Sequence, residues 1–265
     1  MLELQNLSKT FGKGTANEHA ALTNVNFTLH EGDFVTILGS NGAGKSTLFG
    51  AISGAFWPDR GHVVLDGEDV TYQPIHKRAQ KIGVLFQDPL KGTAPDMTIA
   101  ENLALAFTRG NRFPLARALQ KRDMEILRDR LAAFGMGLED RMKMKVGLLS
   151  GGQRQAMTLL MATIAKPKLL LLDEHTAALD PATAEKVLAI TVQTVREQQL
   201  KTMMITHNMK SALALGNRTI MMARGRIILD VAGEQRAAMQ VDDLLRQYSG
   251  TQGTALDNDR MLLGD

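Results

Sequence analysis

Apolar and polar residues alternate over 2–7 and 20–29, the period-two pattern of half-buried antiparallel strands. Phe34–Leu38 is instead a short apolar run that stops at the glycines Gly39, Gly42 and Gly44, and a helical pattern opens at Lys45 and continues to about Ile52. His62–Leu65 predicts another strand, closed by the turn pair Asp66-Gly67, and Ile82–Phe86 a further one. From about Asp88 to Ser150 the apolar spacing turns helical, as in Leu115, Leu119, Met124, Leu127 and Leu131, and strand signals vanish. This predicts a helical insertion in an α/β domain. Beyond it, Lys168–Leu172, Thr202–Ile205 and Ile220–Ala223 read as buried strands. The first two follow helix-like stretches, as parallel strands joined by crossover helices do. Arg224-Gly225 predicts a closing hairpin, and residues 249–265 lack periodicity and predict a loosely held tail.

Composition narrows the classes. Hydrophobic residues are 44% of the 265, enough for a substantial core. Lys and Arg number 31 against 28 Asp and Glu, a net charge of +3 with no basic block, so nucleic acid is not an expected partner. Without cysteine there is no disulfide, thiolate zinc site or cysteine nucleophile. No apolar run approaches the roughly 18 residues of a bilayer helix, and Met1–Asn6 has neither the basic nor the apolar region of a signal peptide.

The chemistry begins at Gly39-Ser40-Asn41-Gly42-Ala43-Gly44-Lys45-Ser46-Thr47, which fits G-x-x-x-x-G-K-[ST] between an expected strand and an expected helix. Glycines let successive amides turn toward phosphate oxygens, and the helix that follows offers its positive end to the same anion. Lys45 adds a full charge near the β and γ phosphates, and the Ser46 hydroxyl can ligate Mg²⁺. Lys168–Leu172 then delivers Asp173 and Glu174 at a strand's carboxyl end, where ligands of parallel sheets sit. Asp173 is placed for the metal and Glu174 to orient water or take its proton.

Up to this point a nucleotide kinase or a GTPase fits equally well. Leu149-Ser150-Gly151-Gly152-Gln153-Arg154-Gln155 resembles the signature motif of ABC-type ATPases and lies upstream of the acidic strand, as it does there. Read alone, it is a helix N-cap followed by two glycines, a second anion-binding helix end. Gln87 matches the Q-loop glutamine, Ala178-Leu179-Asp180 the D-loop, His207 the switch histidine, and Phe11 the aromatic that stacks on adenine. His175 stands where many relatives have proline, and Ala178 where serine is common.

The resemblance spans about residues 2–248 and implies a P-loop NTPase core with an N-terminal antiparallel β layer and a helical subdomain. Residues 1–87 and 151–232 would form the catalytic core, 88–150 the helical subdomain, and 233–265 a C-terminal helix and tail. It implies an ATP-hydrolysing subunit of an ABC transporter with ATP and Mg²⁺ as cofactors. The metal would be held by Ser46, Gln87 and Asp173, with Glu174 and His207 as catalytic groups. It further implies a head-to-tail dimer in which Ser150, Gly151, Gly152 and Gln153 act in trans. The subunit would dock on separate integral-membrane permeases at the cytoplasmic face, through the polar stretch Asp88–Met97. The sequences around Gln87-Asp88-Pro89 and Gly225–Leu245 are similar to ATPases of three-component uptake systems related to branched-chain amino-acid importers, which also use a substrate-binding protein. A split exporter ATPase carries the same motifs. Soluble translation and repair types carry tandem cassettes or a long coiled-coil insertion, for which residues 88–150 leave no room.

Overall fold

The computed structural model describes residues 1–109 and 121–252, so Leu115, Leu119 and positions 253–265 of the expected tail lie outside the described residues. Two units divide the chain by contact, Met1–Arg78 with Lys201–Asp265, and Ala79–Leu200.

In the first unit, β1 (Leu2–Phe11) pairs antiparallel with β2 (His19–Leu29) and with β4 (Arg60–Leu65), which also pairs with the short β5 (Glu68–Asp69). The buried side of this layer carries Leu2, Leu4, Leu22, Phe27, Val63 and Leu65. Register shifts interrupt the β1–β2 pairing after Leu4 and Leu7, so strict alternation fades before the strand ends at Phe11.

The same unit holds a second group of strands. Here β3 (Phe34–Leu38) runs parallel to both β8 (Thr202–Ile205) and β9 (Arg218–Ala223), and β10 (Arg226–Ala232) returns antiparallel on β9. All five residues of β3 and all four of β8 are buried, which explains their largely apolar runs, and the hydroxyl of Thr36 inside β3 donates to Ala212 O at 2.9 Å. Arg224 at φ +48° and Gly225 at φ +72° make the tight turn of the hairpin.

Helix α1 (Lys45–Ser53) follows β3, and the short α2 (Ile75–Arg78) closes the segment. Arg78 has no exposed surface and donates from its guanidinium to the carbonyls of Ala51, Ile52, Thr71 and Gln73. It thereby satisfies the carbonyl end of α1, which no residue of that helix can do for itself.

In the second unit β6 (Ile82–Leu85) and β7 (Leu169–Asp173) are a parallel pair with Ile82 opposite Leu169 and Leu85 opposite Leu172. Helices α3 (Ile99–Phe107), α4 (Lys121–Ala132) and α5 (Gly151–Thr163) meet in one apolar cluster. Leu127 and Leu131 are wholly buried there and Met124 partly, as their helical spacing predicts. Ten of the thirteen α5 residues are buried, so α5 is the central helix of the unit. It starts at Gly151, directly after its N-cap Ser150, because Ser150 and Gln153 form a reciprocal cap. Helix α6 (Pro181–Gln198) packs against it.

The C-terminal part of the first unit contributes α7 (Met209–Ala214), α8 (Gly233–Ala237) and α9 (Val241–Gln252). Leu244 and Tyr248 of α9 bury themselves with Met209, Ala212, Leu38 and Met221. The helix continues to Gln252, which corrects the expectation of a loose tail from 249.

Candidate functional site

Residues Gly39–Gly44 fold between β3 and α1 as the sequence predicts. A Cβ at Gly39 would lie 2.4 Å from the Met222 carbonyl oxygen, and one at Gly44 2.6 Å from that of Ala21. Gly44 has φ +101° and is the N-cap of α1, a left-handed conformation that side chains resist. The turn is braced from below: Gly225 N donates to Ala43 O at 3.0 Å and Thr23 N to Gly225 O at 2.9 Å.

Lys45 is 5% exposed, and its ammonium donates to the carbonyls of Gly39 at 2.6 Å and Ser40 at 3.0 Å. These two contacts curl the side chain back over the loop, at the place where the first amides of α1 open. Asn41, Gly42 and Ser46 are exposed, Ala43 is buried, and Ser40 and Thr47 are partly buried.

His207 belongs to the same unit. β8 runs beside β3 with Ile205 opposite Ile37, and Thr206 N donates to Ile37 O at 3.2 Å. Continuing that register sets His207 level with Gly39, at the edge where the loop begins. Asn208 caps α7 by accepting from Ser211 N at 2.9 Å, which holds the half-buried His207 between a strand end and a helix start. Phe11, 40% exposed, ends β1 and meets Phe56 edge-on.

The second unit carries the carboxylates. Two residues beyond the paired Leu85 and Leu172 stand Gln87 and Glu174, and Gln87 Nε2 donates to Glu174 Oε2 at 3.4 Å. Glu174 adopts φ +45°, a left-handed backbone that is strained for a side chain of this size. Its carbonyl accepts from Ala177 N at 3.0 Å, which fixes the turn. His175 is fully enclosed, with Nε2 3.1 Å from Thr191 Oγ1. Because the Thr191 hydroxyl donates to Val187 O at 2.8 Å, it accepts from His175, whose proton therefore sits on Nε2. Burial pushes the His175 pKa down to about 4, so the ring is neutral and structural.

At the start of α5, Ser150 Oγ accepts from Gln153 N and Gln153 Oε1 accepts from Ser150 N, both at 3.3 Å. The amides of Gly151 and Gly152 emerge from the helix end without intrahelical acceptors. A Cβ on Gly152 would lie 2.1 Å from Thr183 Cγ2 and one on Gly151 3.2 Å from Leu179 Cδ2, so α5 and the segment leading into α6 are in close approach. Asp180 caps α6 by accepting from Thr183 N at 3.0 Å, and its hydrogen bonds from Thr183 hold its carboxyl below the usual range.

Several contributors carry no motif. Arg154 donates to the carbonyls of Val146, Gly147 and Leu149 and so fixes the turn that feeds Ser150. Asn102, buried on α3, binds Ala94 N and O at 2.8 and 3.0 Å and orders the stretch 88–97. Lys9 and Phe56 flank Phe11. Their roles emerge only in the folded chain, because no motif marks a side chain that serves backbone carbonyls or an aromatic neighbour.

Among the described residues no cluster of three or more His, Asp or Glu is arranged for a metal. Ser46 in the first unit offers a hydroxyl and Asp173 in the second a carboxylate, both hard oxygen donors of the kind magnesium takes.

A glycine-braced anion loop between a buried strand and a helix, in a mixed α/β fold, defines a P-loop nucleotide-binding protein. Residues 22–177 match the family model described as ABC transporter. The tyrosine transport ATP-binding protein of Clostridioides difficile is 41% identical over 94% of this chain and 98% of its own length. The xylose/arabinose import ATP-binding protein of Sulfolobus acidocaldarius is 33% identical over 94% and 95%. The dimeric ATP-binding cassette MJ0796 bound to ADP and Pi is 29% identical with a TM-score of 0.74, covering 88% of this chain and 98% of that one. The chain belongs to the ATP-binding subunits of ABC transporters and is an ATPase of that family.

Proposed function

We propose that two copies of this chain pair head to tail around two ATP molecules and drive solute import through separate permease subunits at the cytoplasmic face of the membrane. Residues Gly39–Thr47 hold the phosphates, with Lys45 neutralising charge on the β and γ groups, and Phe11 receives the base. Ser46, Gln87 and Asp173 hold magnesium, which when bound offsets the charge that develops on the phosphate oxygens. Glu174 orients a water and takes its proton as the water oxygen bonds to the γ phosphorus. The bond from phosphorus to the β–γ bridging oxygen breaks, leaving ADP and inorganic phosphate. His207 hydrogen-bonds the γ phosphate, and Ser150, Gly151, Gly152 and Gln153 cap it from the partner copy, with Asp180 beside them at the dimer contact.

The observation that carries the hydrolytic reading is the pairing of Gln87 with Glu174 at one strand edge, 3.4 Å apart. The dimeric relative bound to ADP and Pi supports the pairing of copies. The relative named for xylose/arabinose import supports the direction, and the one named for tyrosine transport supports an amino-acid-like cargo. The ordered stretch 88–97, with Leu90 44% exposed, is the surface offered to a permease.

Glu174→Gln tests the chemistry. Phosphate release should fall by about 10²–10⁴-fold, while size-exclusion chromatography with ATP shows a stabilised dimer. Hydrolysis at the wild-type rate would remove Glu174 from its role.

A further inference from the structure

We propose that Phe56 is a positioning residue for the nucleobase, acting through Phe11 on the base end of the site. The inference rests on the reading that Phe11 receives the base. Phe11 and Phe56 meet with ring centroids 5.2 Å apart and planes at 82°, the edge-to-face geometry aromatic pairs prefer. Phe56 lies in the loop between α1 and β4. It rests on Gly50, where a Cβ would come within 2.5 Å of its Cε1 atom. Any larger residue at position 50 would push the ring away, and Phe11 with it.

The loop is fastened to the end of β1 at several points. Asp59 Oδ2 accepts from Thr10 N at 2.7 Å, and Asp59 N donates to Ser8 O at 2.8 Å. Lys9 donates to Trp57 O at 2.9 Å and pairs with Asp59 Oδ1 at 3.2 Å. The same ammonium sits 5.5 Å from the Phe11 centroid and 5.6 Å from that of Phe56, within cation–π range of both rings. Two exposed segments are thus locked into one aromatic platform at a fixed angle to α1. That helix bears Lys45 and Ser46 at its start and Gly50 one turn later, so one rigid element references both the phosphate end and the base end of a nucleoside triphosphate.

The experiment is calorimetric titration of the full chain with ATP and with inorganic tripolyphosphate, which lacks a base. Phe56→Leu keeps apolar bulk against Gly50 but removes the aromatic edge. It should weaken ATP binding about three- to tenfold, leave tripolyphosphate binding unchanged, and leave kcat at saturating ATP unchanged. Phe56→Tyr should restore ATP affinity. In a Phe11→Ala background Phe56→Leu should have no further effect. An unchanged ATP affinity in Phe56→Leu, where Phe11→Ala does weaken it, overturns the proposal. So does equal weakening of ATP and tripolyphosphate, which would place the effect on the phosphate loop. If Phe11→Ala itself leaves ATP binding intact, the base assignment to Phe11 fails first, and the role of Phe56 with it.

Discussion

Gln87 Nε2 lies 3.4 Å from Glu174 Oε2, although 86 residues separate them in the chain. The parallel register of β6 and β7 makes the meeting inevitable, since each residue stands two places past a paired leucine. A neutral donor there steadies the carboxylate without neutralising it. Gln87→Ala should therefore lower kcat about tenfold, the value of one positioning hydrogen bond, and weaken ATP binding only when magnesium is present, with metal-free ATP affinity within about twofold of wild type. Steady-state phosphate release and ATP titration read the two effects separately.

Gly152 is required by packing rather than by backbone angle. A methyl group there would collide with Thr183 Cγ2 at 2.1 Å, while the next atom stands 3.6 Å away. Gly152→Ala should destabilise the protein by about 1–3 kcal/mol in urea unfolding, as overpacking does. Adding Thr183→Ala should recover most of the loss, because it removes the one colliding atom. A double variant as unstable as the sum of the singles would show that the clash is not the cause.

Arg78 is a buried guanidinium that serves four backbone carbonyls, and burial works against its charge. Arg78→Met would strand the acceptors at the end of α1 and should cost about 3 kcal/mol in denaturant unfolding. Arg78→Lys should rescue little, because a single ammonium cannot reach carbonyls spread over two elements. Full rescue by lysine would contradict this account of α1.

Lys201, 4% exposed, places its ammonium 2.5 Å from Glu31 Oε1 and 2.9 Å from Asp66 Oδ1. Burial opposes its charge, but hydrogen bonds from Lys201 to both carboxylates more than offset this and raise its pKa. The hydrogen bond to Lys201 in turn lowers that of Glu31. A raised lysine stabilises the fold fully below its unfolded value and loses that contribution as pH climbs past about 10.5. A lowered glutamate stabilises above its unfolded value and loses its share as pH falls below about 4.5. Thermal unfolding of Lys201→Met should accordingly show a smaller alkaline loss and a smaller acid loss than wild type. Identical pH profiles would mean the cluster contributes nothing to stability.

What the sequence reveals follows from how local each feature is. The loop Gly39–Thr47, the carboxylates after β7 and the capped start of α5 each lie within a few consecutive residues, so pattern alone places them on their elements. The buried strands β3, β7 and β8 are legible because both faces are covered and the runs are almost wholly apolar, with Thr36 the one polar residue inside β3. Boundaries fare less well where local rules compete. β1 runs on to Phe11 through register shifts that erase its alternation, and α5 begins at Gly151 because the cap overrides glycine's poor helix propensity. Arg78, Lys201, Arg154 and Phe56 escape a sequence reading altogether. Each acts through backbone carbonyls or partners brought near by folding, and a lone arginine or phenylalanine in a sequence looks like any other.

The central claim is that each copy completes the reaction centre of its mate. Lys45→Ala and Ser150→Arg should each abolish hydrolysis alone, one by emptying the phosphate cradle of its charge and the other by blocking the end of α5. Mixing the two purified variants and measuring phosphate release tests the claim most directly. A mixed pair retains one intact site, built from the Lys45 of one copy and the Ser150 of the other, so activity should reappear in the mixture. Mixtures as inactive as their components, or a Ser150→Arg protein that hydrolyses ATP normally, would contradict it.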